Sequence, residues 1–118
     1  MTDTLKDIKA ASEYITPPGH VLFSALRLAG RIDDQIADCS VADIAPGGGG
    51  PNPHHTHEHD HLFVVLAGCV EVKIDEDTIR LSPYESLLVP GNKLHGVWNT
   101  SEAHAKVLGI SLNRGSEF

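Results

Sequence analysis

Short β-branched and aromatic runs, cut at regular intervals by glycine and proline, occupy the chain from residue 21 onward. Val21 to Leu28 is apolar and ends before Gly30 and the acidic pair Asp33-Asp34. Ser40 to Ala45 is closed by Pro46 and four glycines, Gly47 to Gly50, which read as a tight loop. Leu62 to Ala67 is aromatic and β-branched, and Gly68 stops it. Val70 to Ile74 alternates apolar and charged residues, the period of a strand with one face in water. Asp75-Glu76-Asp77 reads as a hairpin loop returning through Thr78 to Leu81. Leu87 to Val89, Gly96 to Asn99 and Lys106 to Leu112 complete the series. Evenly spaced short strands with turn residues between them predict an all-β sandwich or barrel. At 118 residues the chain has the size of one domain. Residues 1–20 read as a polar N-terminal arm, a loose segment or a helical turn closed by Pro17-Pro18-Gly19, and residues 113–118 as a C-terminal tail.

Composition narrows the partners. Nine Lys and Arg stand against 16 Asp and Glu, for a formal net charge of −7. No basic face is available for phosphates, so neither nucleic acid nor an anionic membrane is expected as a partner. The longest apolar stretch, Leu62 to Val70, is far too short to span a bilayer. The N-terminal residues carry alternating charges and no apolar block, so no secretory signal is read there. Cys39 and Cys69 do not make a disulfide framework and read as reduced thiols, which predicts a cytoplasmic protein. No Ser-His-Asp set, phosphate-cradling loop or dinucleotide fingerprint is present.

The chemistry is concentrated in imidazole. Of eight histidines, five fall between His54 and His61. On a strand, His55, His57, His59 and His61 share one parity and are able to face one way. Neutral imidazole is the commonest ligand for divalent transition metals. A further candidate, His95, opens a strand after the turn at Pro90-Gly91. His54 has the opposite parity and is expected to face outward; His20 and His104 have no neighbours in sequence and read as surface residues.

These residues resemble the two motifs of small single-domain cupins. The first motif has the form Gly-x5-His-x-His-x3–4-Glu-x6-Gly; Gly49, His55, His57 and Gly68 fall on it, and His61 stands in place of the Glu. Pro90, His95 and Asn99 match the second, whereas Tyr84 and Asn92 stand where glycines are usual and Gly91 sits one place early. The resemblance covers roughly residues 21 to 112. It implies a jelly-roll β-barrel with one divalent transition metal ion, Mn, Fe, Ni, Cu or Zn, in its mouth. His55, His57, His61 and His95 would be the ligands, as in the cupins with four histidines, and the family spacing puts His59 in a turn. By analogy the chain is expected to be a homodimer.

Strand parity extends the site. Phe63 and Val65 share the parity of His61, and Val97 and Asn99 that of His95, so they are expected to face the interior. Phe23 and Arg27 share a parity on the first strand, with Arg27 a candidate contact for an anionic substrate. Trp98 is expected to point away from His95. The function this implies is that of a mononuclear metal-dependent protein acting on a small oxygenated molecule, anionic or enolisable, by dioxygenase, isomerase or lyase chemistry. The alternative is a non-catalytic module that binds or senses such a molecule.

Overall fold

Val70 and Val72 are 1% and 0% exposed, while Glu71 and Lys73, which alternate with them, stand half-exposed. The two-residue alternation of the sequence has become two faces of a sheet. The computed structural model describes residues 13–32, 34–55 and 59–113, and of His55 the backbone alone. Its strands are β1 (Tyr14–Ile15), β2 (Val21–Ala29), β3 (Ile36–His55), β4 (Asp60–Ala67), β5 (Val70–Ile74), β6 (Asp77–Leu81), β7 (Ser86–Val89), β8 (His95–Trp98) and β9 (Ala105–Leu112). Among the described residues no helix is long and apolar enough to cross a membrane.

All strand pairs are antiparallel, in the order β6-β5-β8-β3-β9-β4-β7, with β2 on β3 and β1 on β2. The sheet curls into a nearly closed barrel, the jelly roll that the resemblance implies. β3 makes this possible. Its first half lies between β2 and β9, and its second half crosses to pair with β8. The inward side chains of seven strands, β3 to β9, meet in one core that includes Ile44, Val65, Val72, Leu81, Val89, Val97 and Val107. Burying each such side chain is worth about 2 kcal/mol.

The four glycines correct the sequence reading. Gly47 to Gly50 is not a tight loop but the middle of β3. A Cβ on Gly49 would lie 2.3 Å from the Val97 carbonyl oxygen and 2.7 Å from the Trp98 ring, and on Gly50 2.8 Å from the Gly19 carbonyl oxygen. Their φ angles of +151° and +148° suit glycine alone. The run therefore lets β8 and the segment before β2 press onto β3 from two sides. A second departure lies in the expected arm, where Tyr14 and Ile15 pair with Leu26 and Ala25 and extend the sheet. Residues 1–12 and 114–118 of the expected arm and tail lie outside the described residues.

Candidate metal and ligand site

β4 and β8 are separated in the sheet by β3 and β9, yet each brings a histidine to the same point in the barrel. The ring centroids of His61 and His95 are 5.4 Å apart, and Phe63 packs against both at 5.7 and 6.1 Å. His95 is 3% exposed. Its Nδ1 lies 3.1 Å from the Lys93 carbonyl oxygen. A carbonyl only accepts, so Nδ1 carries the proton and Nε2 is left as the nitrogen with the lone pair. His55 is the direct register partner of His95 across β3 and β8. His57 lies outside the described residues, and among those described no group of three or more His, Cys, Asp and Glu side chains converges to hold an ion. Two imidazoles at this separation, one with its tautomer fixed by a backbone carbonyl, fit two corners of an imidazole-rich metal site.

The turn that delivers His95 is held from both sides. The Gly91 amide donates to Asp60 Oδ1 at 2.9 Å, just before His61 on β4. The Leu94 amide donates to Asp75 Oδ1 at 3.2 Å, the Asp75 amide donates to the Leu94 carbonyl at 2.7 Å, and Lys93 Nζ lies 3.5 Å from Asp75 Oδ2. Sequence reasoning read Asp75 only as part of a hairpin loop and passed over Asp60. Both position a histidine through the backbone.

Beside the histidines lies a cavity of about 210 Å³ whose walls include His61, Phe63, Phe23, Val97, Asp38 and Ser111. A second lobe of about 210 Å³ reaches His95, Gly50 and Pro51. The structure thus brings Phe23, Phe63 and Val97 together with the histidine pair. Val65, of the same parity, is fully buried in the core beneath them. A bulge at Leu22, with φ of +49°, shifts the register of β2 just before Phe23.

Two of the expected pocket residues are placed elsewhere. Asn99 is 1% exposed and its amide is spent on the backbone. Nδ2 donates to the carbonyls of Ile44 and Ala103 at 2.9 and 2.7 Å, and Oδ1 accepts from the Ser101 amide and hydroxyl at 2.9 and 2.7 Å. It clamps Ile44 of β3 to the turn between β8 and β9 and does not line the cavity. Arg27 keeps the face of Phe23 but lies farther along β2, exposed, with Nε 2.7 Å from Asp38 Oδ1. It borders an adjoining recess, not the histidines.

His20 is the converse case. Read from sequence as a surface residue, it is half-buried and lines both lobes, with its ring centroid 4.4 Å from that of Phe23. Its Nδ1 donates to the Pro18 carbonyl at 2.9 Å, which again leaves Nε2 as the acceptor nitrogen. The tight turn at Pro17-Pro18-Gly19 was the only available signal, since it fixes the direction in which the next side chain leaves. His54 lies on the outer face, where its Nε2 accepts from Trp98 Nε1 at 3.2 Å. His59 falls in a bend just before β4.

A nearly closed antiparallel barrel with imidazoles gathered at one mouth defines the jelly-roll class. The chain belongs to the cupin domain family, whose model matches residues 40–111. A cupin superfamily protein from Desulfitobacterium hafniense is similar at 25% identity and a TM-score of 0.66, over 78% of each chain. KdgF from a Halomonas species superposes with a TM-score of 0.69 at 22% identity, over 90% of this chain and 92% of its own. The polyketide cyclase RemF from Streptomyces resistomycificus gives 0.70 at 21% identity, over 86% and 74%. The last two likenesses establish the fold alone. No curated protein matches the sequence significantly.

Proposed function

We propose that the chain holds one divalent transition metal ion through His55, His57, His61 and His95 and acts on a small oxygenated molecule, anionic or enolisable, in the adjoining cavity. The observation that carries this reading is the meeting of His61 and His95 from two strands that are not neighbours, 5.4 Å apart. His55 is in register with His95, and His57 enters on its spacing in the motif. When bound, the ion supplies a positive charge that polarises a coordinated oxygen, and a redox-active ion adds a route to oxygen chemistry.

The chain's own residues do the rest. The Lys93 carbonyl holds the His95 proton on Nδ1 and aims Nε2 inward. Phe23, Phe63 and Val97 form an apolar wall that excludes water and strengthens electrostatic interactions at the histidine end. His20 Nε2 is the one further basic nitrogen on the described walls of both lobes that lies outside the ligand set. It is suited to accept a proton from an enolisable ligand. Among the described lining residues of these two lobes the only carboxylate is Asp38, ion-paired with Arg27 and two strands away from His61. That placement favours, as a second reading, a module that binds without turnover.

The test is the metal content of tag-free protein carrying His55→Ala, His57→Ala, His61→Ala, His95→Ala or His59→Ala. The first four are expected to lose at least roughly tenfold in metal affinity and His59→Ala to keep it. Loss in His59→Ala with retention in His61→Ala overturns the register. Turnover of diketones, enols and sugar acids by metal-loaded protein separates an enzyme from a binding module, which would show saturable binding without product.

A further inference from the structure

The strand registers place a polar row along the cavity beside the histidines. Ser111 on β9 is directly opposite His61 on β4 and directly opposite Asp38 on β3. All three line the same cavity. In the next row Ser40 on β3 faces Gly109 on β9, which faces Phe63 on β4. Gly109 leaves a trough between Ser40 and Phe63, since even an added Cβ would come only within 3.7 Å of the Phe63 ring. From His61 to Asp38 the row crosses two strand spacings, about 9.6 Å.

Its far end is built to accept hydrogen bonds. Ser40 Oγ donates to Asp38 Oδ2 at 2.9 Å, so its own lone pairs are turned outward from that bond. Asp38 Oδ1 is buried, with Arg27 Nε 2.7 Å away, which leaves Oδ2 as the oxygen a ligand is able to reach. A carboxylate and a hydroxyl already spent as a donor both require a donor from the ligand. Arg27 neutralises Asp38, so a neutral hydroxyl fits this end better than an ammonium, and a second carboxylate is excluded.

We propose that Asp38, Ser40 and Ser111 form a hydroxyl-recognition strip, and that the ligand is a hydroxy acid or hydroxylated enolate. Its acidic head lies at His61 and His95, and its hydroxyl is carried about six atoms away. The inference rests on the functional reading above for the head group only. Phe23 and Phe63 cover the carbon chain from the apolar side of the cavity.

The experiment is calorimetric titration of the full chain, with its metal content measured before and after, by hexanoate, 6-hydroxyhexanoate and 6-aminohexanoate. The hydroxylated acid is expected to bind roughly tenfold more tightly than hexanoate, the advantage of one hydrogen bond to a charged acceptor. Asp38→Asn and Ser40→Ala should each remove most of that advantage while leaving hexanoate affinity and metal content within twofold. Ser40→Ala serves as the check should Asp38→Asn disturb folding through Arg27. Equal binding of the two acids, tighter binding of the amine, or a hydroxyl preference that survives both substitutions overturns the strip. A preference that depends on Asp38 in protein without metal supports the strip and contradicts the metal reading. Bound metal with no hydroxyl preference does the reverse.

Discussion

His95 illustrates how one residue's chemistry is set by its backbone. The sequence marks it as a ligand candidate by its place after Pro90-Gly91. Only the fold supplies the Lys93 carbonyl that fixes its tautomer. Cys39 illustrates the same dependence for a thiol. Burial, and then the charge of Asp38, push its pKa above the ordinary value of 9.0. Fewer thiolates and less access both slow attack on an electrophile, so iodoacetamide at pH 8 should modify Cys39 several-fold more slowly than a free thiol such as glutathione. Mass spectrometry of the labelled peptides reads this directly, and modification at the glutathione rate contradicts it. The sign of the pH effect on stability follows. The folded chain holds this proton more tightly than the unfolded chain, so the contribution is present below the unfolded pKa. It is lost as pH rises from there through the higher folded pKa. Parity arguments located Phe23, Phe63 and Val97 at the cavity because side-chain direction alternates whatever the partner strand. At Asn99 the buried amide is bonded instead to the Ile44 and Ala103 carbonyls, where a satisfied polar group acts as a backbone clamp and not as a wall.

At the scale of elements, β5 was legible almost to the residue, since its alternation needs one wet and one dry face. β3 was not. Its second half carries Pro46, Pro51 and Pro53, all turn signals, and the pairing with β8 is interrupted between Gly50 and His55. Prolines sit in this strand where the ladder skips them, and Gly48 to Gly50 where neighbouring backbone comes too close for a side chain. Gly49→Ala should therefore cost at least about 3 kcal/mol, from the clash with β8 added to the strained φ. Denaturant unfolding measures it, and a loss under 1 kcal/mol contradicts the close approach. Asp60→Ala tests a subtler role. Releasing the Gly91 amide should cost about 1–2 kcal/mol and also weaken metal binding. Asp60→Asn keeps an acceptor oxygen and should restore most of both. Metal affinity unchanged in Asp60→Ala would show that the turn holds His95 without it.

At the scale of the whole molecule, the barrel is a frame that carries two non-adjacent strands to one mouth. Neither the core nor the closure of the sheet depends on which ion the histidines would hold. That is why the fold was readable from two motifs while the identity of metal and substrate was not. If four imidazoles hold the ion, protons compete for every ligand. Free imidazole titrates at about 6.5, and bound metal lowers the apparent value. Metal should be retained at pH 7 and released by pH 4, with a matching fall in melting temperature as the stabilisation by bound ligand is lost. Full occupancy at pH 4, measured by elemental analysis after dialysis, contradicts an all-histidine site. The most direct test counts the imidazoles themselves, by X-ray absorption at the metal edge of protein purified without an affinity tag. One ion per chain with four imidazole nitrogens at about 2.0–2.2 Å is the result predicted. A shell dominated by oxygen, or with two imidazoles or fewer, would show that His55, His57, His61 and His95 do not act together as the ligand set.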